Sequence, residues 1–66
     1  MTVKDLIHAC DNITNSTIIV IKDLSEKEIE FNSYNQIFGT VLSFYDVITF
    51  FLKDDFVEIL VNHKED

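Results

Sequence analysis

Residues 47–62 constrain this chain more than any other part of it. Two runs, 47–53 and 56–62, flank Asp54-Asp55, and two-residue loops are among the commonest hairpin connections. Pairing Lys53 with Phe56 sets Leu52 opposite Val57, Phe50 opposite Ile59 and Ile48 opposite Val61. One face then reads Ile48, Phe50, Leu52, Val57, Ile59 and Val61, with no polar residue. The other reads Val47, Thr49, Phe51, Lys53, Phe56, Glu58, Leu60 and Asn62. A slip of one residue would mix the two sets, so the pattern selects its own register.

Something must cover the clean face, and the N-terminal segment supplies it. Val3, Leu6, Ile7 and Cys10 fall at i, i+3, i+4 and i+7, one stripe of a helix. Thr2 stands as N-cap, with Asp5 as the acidic partner of a capping box. Asn12, Thr14, Asn15 and Ser16 favour turns over helix, so the helix should end near Asp11. Residues 17–22 are β-branched and apolar on both sides, as in a central strand. Residues 28–32 alternate strictly, with Ile29 and Phe31 on one side and Glu28, Glu30 and Asn32 on the other. In the stretch 33–46, Gly39 marks an unusual backbone conformation. Thr40 there caps a helical turn through Val41, Leu42, Phe44 and Tyr45, or the stretch forms another short strand. No repeat or composition shift divides the chain. The expected architecture is one α+β domain over residues 1–66, an N-terminal helix on a mostly antiparallel sheet of three to five strands ending in a hairpin.

Size then matters. A chain of 66 residues buries only about 60 % of its unfolded surface. Small domains compensate with disulfides, metals or partner subunits. A single cysteine excludes an internal disulfide. His8, Cys10 and His63 lack zinc-finger spacing, so no metal and no cofactor is expected. Partner burial is left, and the second face of the hairpin offers a surface for it. Val47, Phe51, Phe56 and Leu60, with Ile19 or Ile21, would form an apolar patch for a homodimer. Alternatively, residues 39–45 fold over that patch, or a different protein covers it.

Charge narrows the function. Twelve acidic residues against five basic ones leave a formal net charge of -7. Nucleic acid and anionic membranes attract clustered Lys and Arg, so neither is expected as a direct partner. Polar residues interrupt the N-terminus too often for a signal peptide, and no apolar run reaches membrane-spanning length, which points to the cytoplasm. His8 and His63 read as solvated surface residues, and no nucleophile stands in a strained elbow. Cys10 reads as a small hydrophobe on the helix stripe. No enzyme is expected. Asp23, Glu26, Glu28 and Glu30 form an acidic strip, read either as a solubilising edge or as a recognition surface for a basic partner.

The opening Met1-Thr2-Val3-Lys4-Asp5-Leu6-Ile7 and the hairpin from Val47 to Val61 resemble short phage and prophage proteins of low-GC Gram-positive bacteria. Abundant isoleucine, asparagine, phenylalanine and aspartate, with lysine as every basic residue and no arginine, agree with such an A/T-rich origin. The resemblance implies an accessory protein that acts by binding, and small acidic phage proteins of this kind often inhibit host machinery. The expected function is therefore a non-catalytic, homodimeric inhibitor of a host defence or nucleic-acid-handling protein. The alternatives are a protein sequestering a small molecule or nucleotide at an oligomer interface, or a structural subunit of a larger particle.

Overall fold

The computed structural model describes residues 1–64. Helix α1 (Val3–Ala9) starts at a complete capping box: the Asp5 N–H donates to Thr2 Oγ1, and the Thr2 N–H donates to Asp5 Oδ2, each at 3.2 Å. Its stripe is the expected one, with Val3, Leu6 and Ile7 buried and Cys10 packed against the same cluster. The helix ends at Ala9, slightly before the expected stop. In the turn that follows, Thr17 Oγ1 accepts from the Thr14 N–H at 2.9 Å and Thr14 Oγ1 accepts from the Ser16 N–H at 3.2 Å. Side-chain oxygens there satisfy donors that a helix would have used.

Four strands follow: β1 (Ile18–Lys22), β2 (Glu28–Phe31), β3 (Val47–Lys53) and β4 (Phe56–Val61). They form one sheet in the order β2-β1-β4-β3. β1 runs antiparallel to β2 and parallel to β4, while β3 and β4 form the hairpin. The fold is α+β, with one helix on a four-stranded mixed sheet. The parallel pairing makes β1 central: its carbonyls and amides meet partners on both sides, which suits its unbroken β-branched run.

The core lies on one side of this sheet. Ile19, Ile21, Val57, Ile59 and Val61 are at most 2 % exposed and meet Val3, Leu6 and Ile7 of α1. Two short 3-10 helices, Tyr34–Gln36 and Val41–Phe44, complete the cover on this same side, bringing Ile37, Leu42 and Tyr45 to the core. Residues 39–45 therefore make a helical turn, and they do not fold over the sheet's second face. Gly39 links the two 3-10 helices with φ +91°, a value side-chain-bearing residues avoid.

Hairpin register follows the expectation from Lys53↔Phe56 to Phe50↔Ile59 and then departs from it. A β-bulge between Val47 and Thr49 sets Val47, not Ile48, opposite Val61. Ile48 is the extra residue and is half exposed, while Val47 turns to the core side. The cause lies at the N-terminus. Thr2 bridges Asp46, and the Val47 N–H donates to the Met1 carbonyl at 2.7 Å. The start of β3 is thus held between Met1 on one side and Val61 on the other, and the strand must kink to rejoin its regular pairing.

Candidate functional site

Cross-strand partners share a face, so the register alone assigns the residues of the uncovered side. One row across the sheet reads Glu30, Val20, Glu58, Phe51. The next reads Glu28, Lys22, Leu60, Thr49, and on the other flank Ile18, Phe56 and Lys53 align. The helix and the two 3-10 helices pack on the opposite side, and exposure along these rows is uneven, with Val20 only 7 % exposed. Phe51 is 61 % exposed, the highest value of any strand residue among the large apolar side chains, whereas Phe56 and Leu60 are half-buried by their neighbours.

Three of the four expected interface residues, Phe51, Phe56 and Leu60, therefore come together on this open face. Val47 does not, because the bulge returns it to the core. Ile19 and Ile21 also belong to the core, and their places on the open face are taken by Ile18 and Val20. The odd-numbered residues of β1 point under α1, so the even-numbered ones must point away.

The acidic strip is divided in the same way. Asp23 is occupied by its own turn: its Oδ1 accepts from the Ser25 N–H at 2.8 Å and from the Lys27 N–H at 3.0 Å. Glu26 sits in that turn with φ +65°. Glu28 and Glu30 are on the open face of β2, with the Glu28 carboxylate 3.9 Å from Lys22 Nζ. Glu58 is the addition. Parallel pairing of β1 with β4 brings it level with Glu30, one strand on either side of Val20 and roughly 10 Å apart by strand spacing. Only a pairing rule for strands distant in sequence would have found it, since the hairpin pattern places Glu58 on a face without saying what lies beside it.

The histidines are not simply solvated. His8 is exposed but stacks on Phe38, ring centroids 5.4 Å apart, and His63 stacks on Tyr45 at 4.3 Å. Each ring is thus held by a different aromatic. A shallow cavity of about 190 Å³ opens beside the second stack, floored by Ile21, Leu42 and Val61 and rimmed by Asp23 and Lys27. Cys10 is a partly buried free thiol packed on the core. Among the described residues, no three potential metal-ligating side chains gather in one place. No helix among them is long and apolar enough to cross a membrane.

The titration of Asp5 is displaced for a structural reason. Hydrogen bonds from the backbone and then the side chain of Thr2 hold the Asp5 carboxyl below the usual aspartate value. Across the open face the carboxylates of Glu28, Glu30 and Glu58 lie on β2 and β4, the most exposed apolar side chain, Phe51, lies on the outer strand β3, and Lys22 of β1 pairs with Glu28. Comparison with known proteins returns no match to any family model, any curated sequence or any solved structure, and the resemblance to short phage proteins stands on the sequence pattern alone.

Proposed function

We propose that this chain is a non-catalytic interaction protein that binds a basic protein partner through the open face of its sheet. The observation that carries this reading is the row Glu30, Val20, Glu58, Phe51, which alternates carboxylate and apolar side chain across all four strands. Recognition surfaces commonly combine an apolar anchor with flanking charge: the anchor supplies affinity, and the charge steers approach and excludes wrong partners. A net charge of -7 extends that steering to the whole molecule. The phage-like sequence pattern suggests the setting, an inhibitor of a host defence or nucleic-acid-handling protein, whose own basic groove the carboxylates would occupy.

The test is recovery of partners with the tagged protein from a low-GC Gram-positive lysate at low and high salt, beside a Glu30→Lys/Glu58→Lys variant. A basic protein held in stoichiometric amount, released by salt and lost in the variant, is the expected result. A partner retained equally by the variant would remove these carboxylates from the recognition surface. A second reading, capture of a small molecule, rests on the cavity beside Tyr45 and His63. Its volume of about 190 Å³ lies below the roughly 300–1,000 Å³ of typical ligand sites, which weighs against that cavity as the site of capture. Calorimetry with nucleotides separates the two, since the protein-binding reading expects no heat.

A further inference from the structure

The sheet has two outer edges, and they differ in kind. The β2 edge is four residues long and carries Glu28 and Glu30, so two copies meeting there would set carboxylates against carboxylates. Short, charged edges of this sort resist pairing. The β3 edge has none of these defences. It runs Val47–Lys53, holds no proline and no acidic residue, and has one charge, Lys53, at its end. Ile48, Phe50 and Phe51 are 50 %, 44 % and 61 % exposed, so the strand shows apolar side chains to solvent although Val47 and Leu52 pack on the core. Met1 and Thr2 occupy its edge only at Asp46 and Val47. Among the described residues, nothing pairs with the edge from Thr49 to Lys53.

From this edge we infer that two copies of the chain join β3 to β3 in antiparallel fashion, forming one continuous eight-stranded sheet. Backbone geometry selects the register. In a two-residue hairpin the closing pair, Lys53 and Phe56, is hydrogen-bonded, so Thr49, Phe51 and Lys53 direct their amides and carbonyls to β4. Phe50 and Leu52 direct theirs outward. A two-fold axis through Phe51 is the centred solution on the regular residues 49–53, because one side is limited by the bulge and the other by the turn. It pairs Phe50 with the partner's Leu52 through hydrogen bonds, Phe51 with its own copy, and Thr49 with the partner's Lys53. No like charges face each other. In a chain of this net charge, β3 is the strand that can meet itself without repulsion.

The two-fold axis stands perpendicular to the sheet, so both open faces look the same way. The Phe51 pair becomes the centre of a doubled surface, with a Glu58 on each side roughly 14 Å apart by strand spacing. This deepens the proposed function by naming a second copy as one partner; it rests on that reading only for the use of the doubled face. A five-residue edge with two Phe side chains per copy makes a small interface, of the size class that includes weak and transient encounters, and an affinity on the order of 1–100 µM is expected of it.

Sedimentation equilibrium across that range should show the mean mass rising from 7.7 kDa towards twice that value. A Thr49→Cys/Lys53→Cys variant in a Cys10→Ser background should oxidise to a covalent dimer, because non-hydrogen-bonded pairs in an antiparallel sheet have disulfide-compatible spacing. Thr49→Cys alone should not. Phe50→Pro, whose lost N–H points away from β4, should keep its circular dichroism and sediment as a monomer. One-chain mass at about 1 mM, about tenfold above the top of the expected dissociation range, would overturn the inference. So would a dimer in which the paired cysteines fail to cross-link. Glu30 and Glu58 lie outside this edge, so the charge-reversal test of partner binding succeeds or fails independently.

Discussion

The two faces of this sheet come from alternate residues of the same strands, yet they differ sharply in composition. On the covered face Ile19, Ile21, Val57, Ile59 and Val61 are sealed under α1 and the two 3-10 helices. On the open face Ile18, Phe51, Phe56 and Leu60 share the surface with Glu28, Glu30, Glu58 and two lysines. A buried aliphatic face supplies stability wherever it is well packed. A face that mixes exposed aromatics with carboxylates gains nothing comparable for the folded monomer, and the proposed contact with another molecule would account for its aromatic content.

The largest expected difference sets neighbouring residues of β4 against each other. Ile59→Ala removes a fully buried side chain and should cost about 2–5 kcal/mol, enough to abolish most of the stability of a chain this small. Leu60→Ala, one position on and facing the other way, should cost about 1 kcal/mol or less. Urea midpoints measure both. If the Leu60 variant loses as much as the Ile59 variant, the open face is covered in solution, and the comparison of faces gives way to one of two buried layers.

The cover itself is tested next. Gly39 has φ +91° and open space where a Cβ would stand. Gly39→Ala therefore acts through backbone strain rather than collision, and should cost about 1–2 kcal/mol. Thr2→Ala removes the N-cap of α1 and should cost about 1 kcal/mol. Acid sharpens this case. The folded-state pKa of Asp5 is depressed, chiefly by the Thr2 backbone hydrogen bond. Its contribution is therefore complete above the ordinary aspartate value and fades from about pH 4 downward, as the pH falls through the folded value. An Asp5→Asn variant should show a flatter loss of stability over that range than the wild type. An identical acid limb would show that the capping box does not hold the helix to the covered face.

These two faces were not equally legible from sequence. α1 and the hairpin follow from local rules: the i, i+3, i+4 stripe, the Thr2 and Asp5 pair, and a two-residue loop between alternating runs. From them come the helix stripe and Leu52, Val57, Ile59 and Val61 of the covered face, but not Ile19 and Ile21, which the sequence pattern places on the other face. What failed to show was whatever depends on distant strands. β1 joins β4 across more than thirty intervening residues, and only that parallel pairing sets Glu58 level with Glu30 and brings Val20 between them. The bulge was hidden because Val47 and Ile48 are both β-branched and apolar, so either can stand opposite Val61. The N-terminal Met1 decides between them, by a hydrogen bond that no periodicity encodes. Asp23 looked like part of a charged strip because composition does not reveal that a carboxylate is already accepting two amides of its own turn.

The smallest effect separates folding from recognition most cleanly. Lys22 Nζ lies 3.9 Å from the Glu28 carboxylate on the open face, with both side chains well hydrated. Such pairs contribute about 0–0.5 kcal/mol and are screened by salt. Lys22→Ala should therefore leave the urea midpoint almost unchanged. The same substitution removes a cation from the middle of the acidic rows and frees the Glu28 carboxylate. If the open face receives a basic partner, Lys22→Ala should tighten that complex several-fold at low salt, with the gain shrinking as salt rises. A gain in binding without a change in stability is what a surface assigned to contact predicts, and a loss of stability without any change in binding would return these charges to a purely solubilising role.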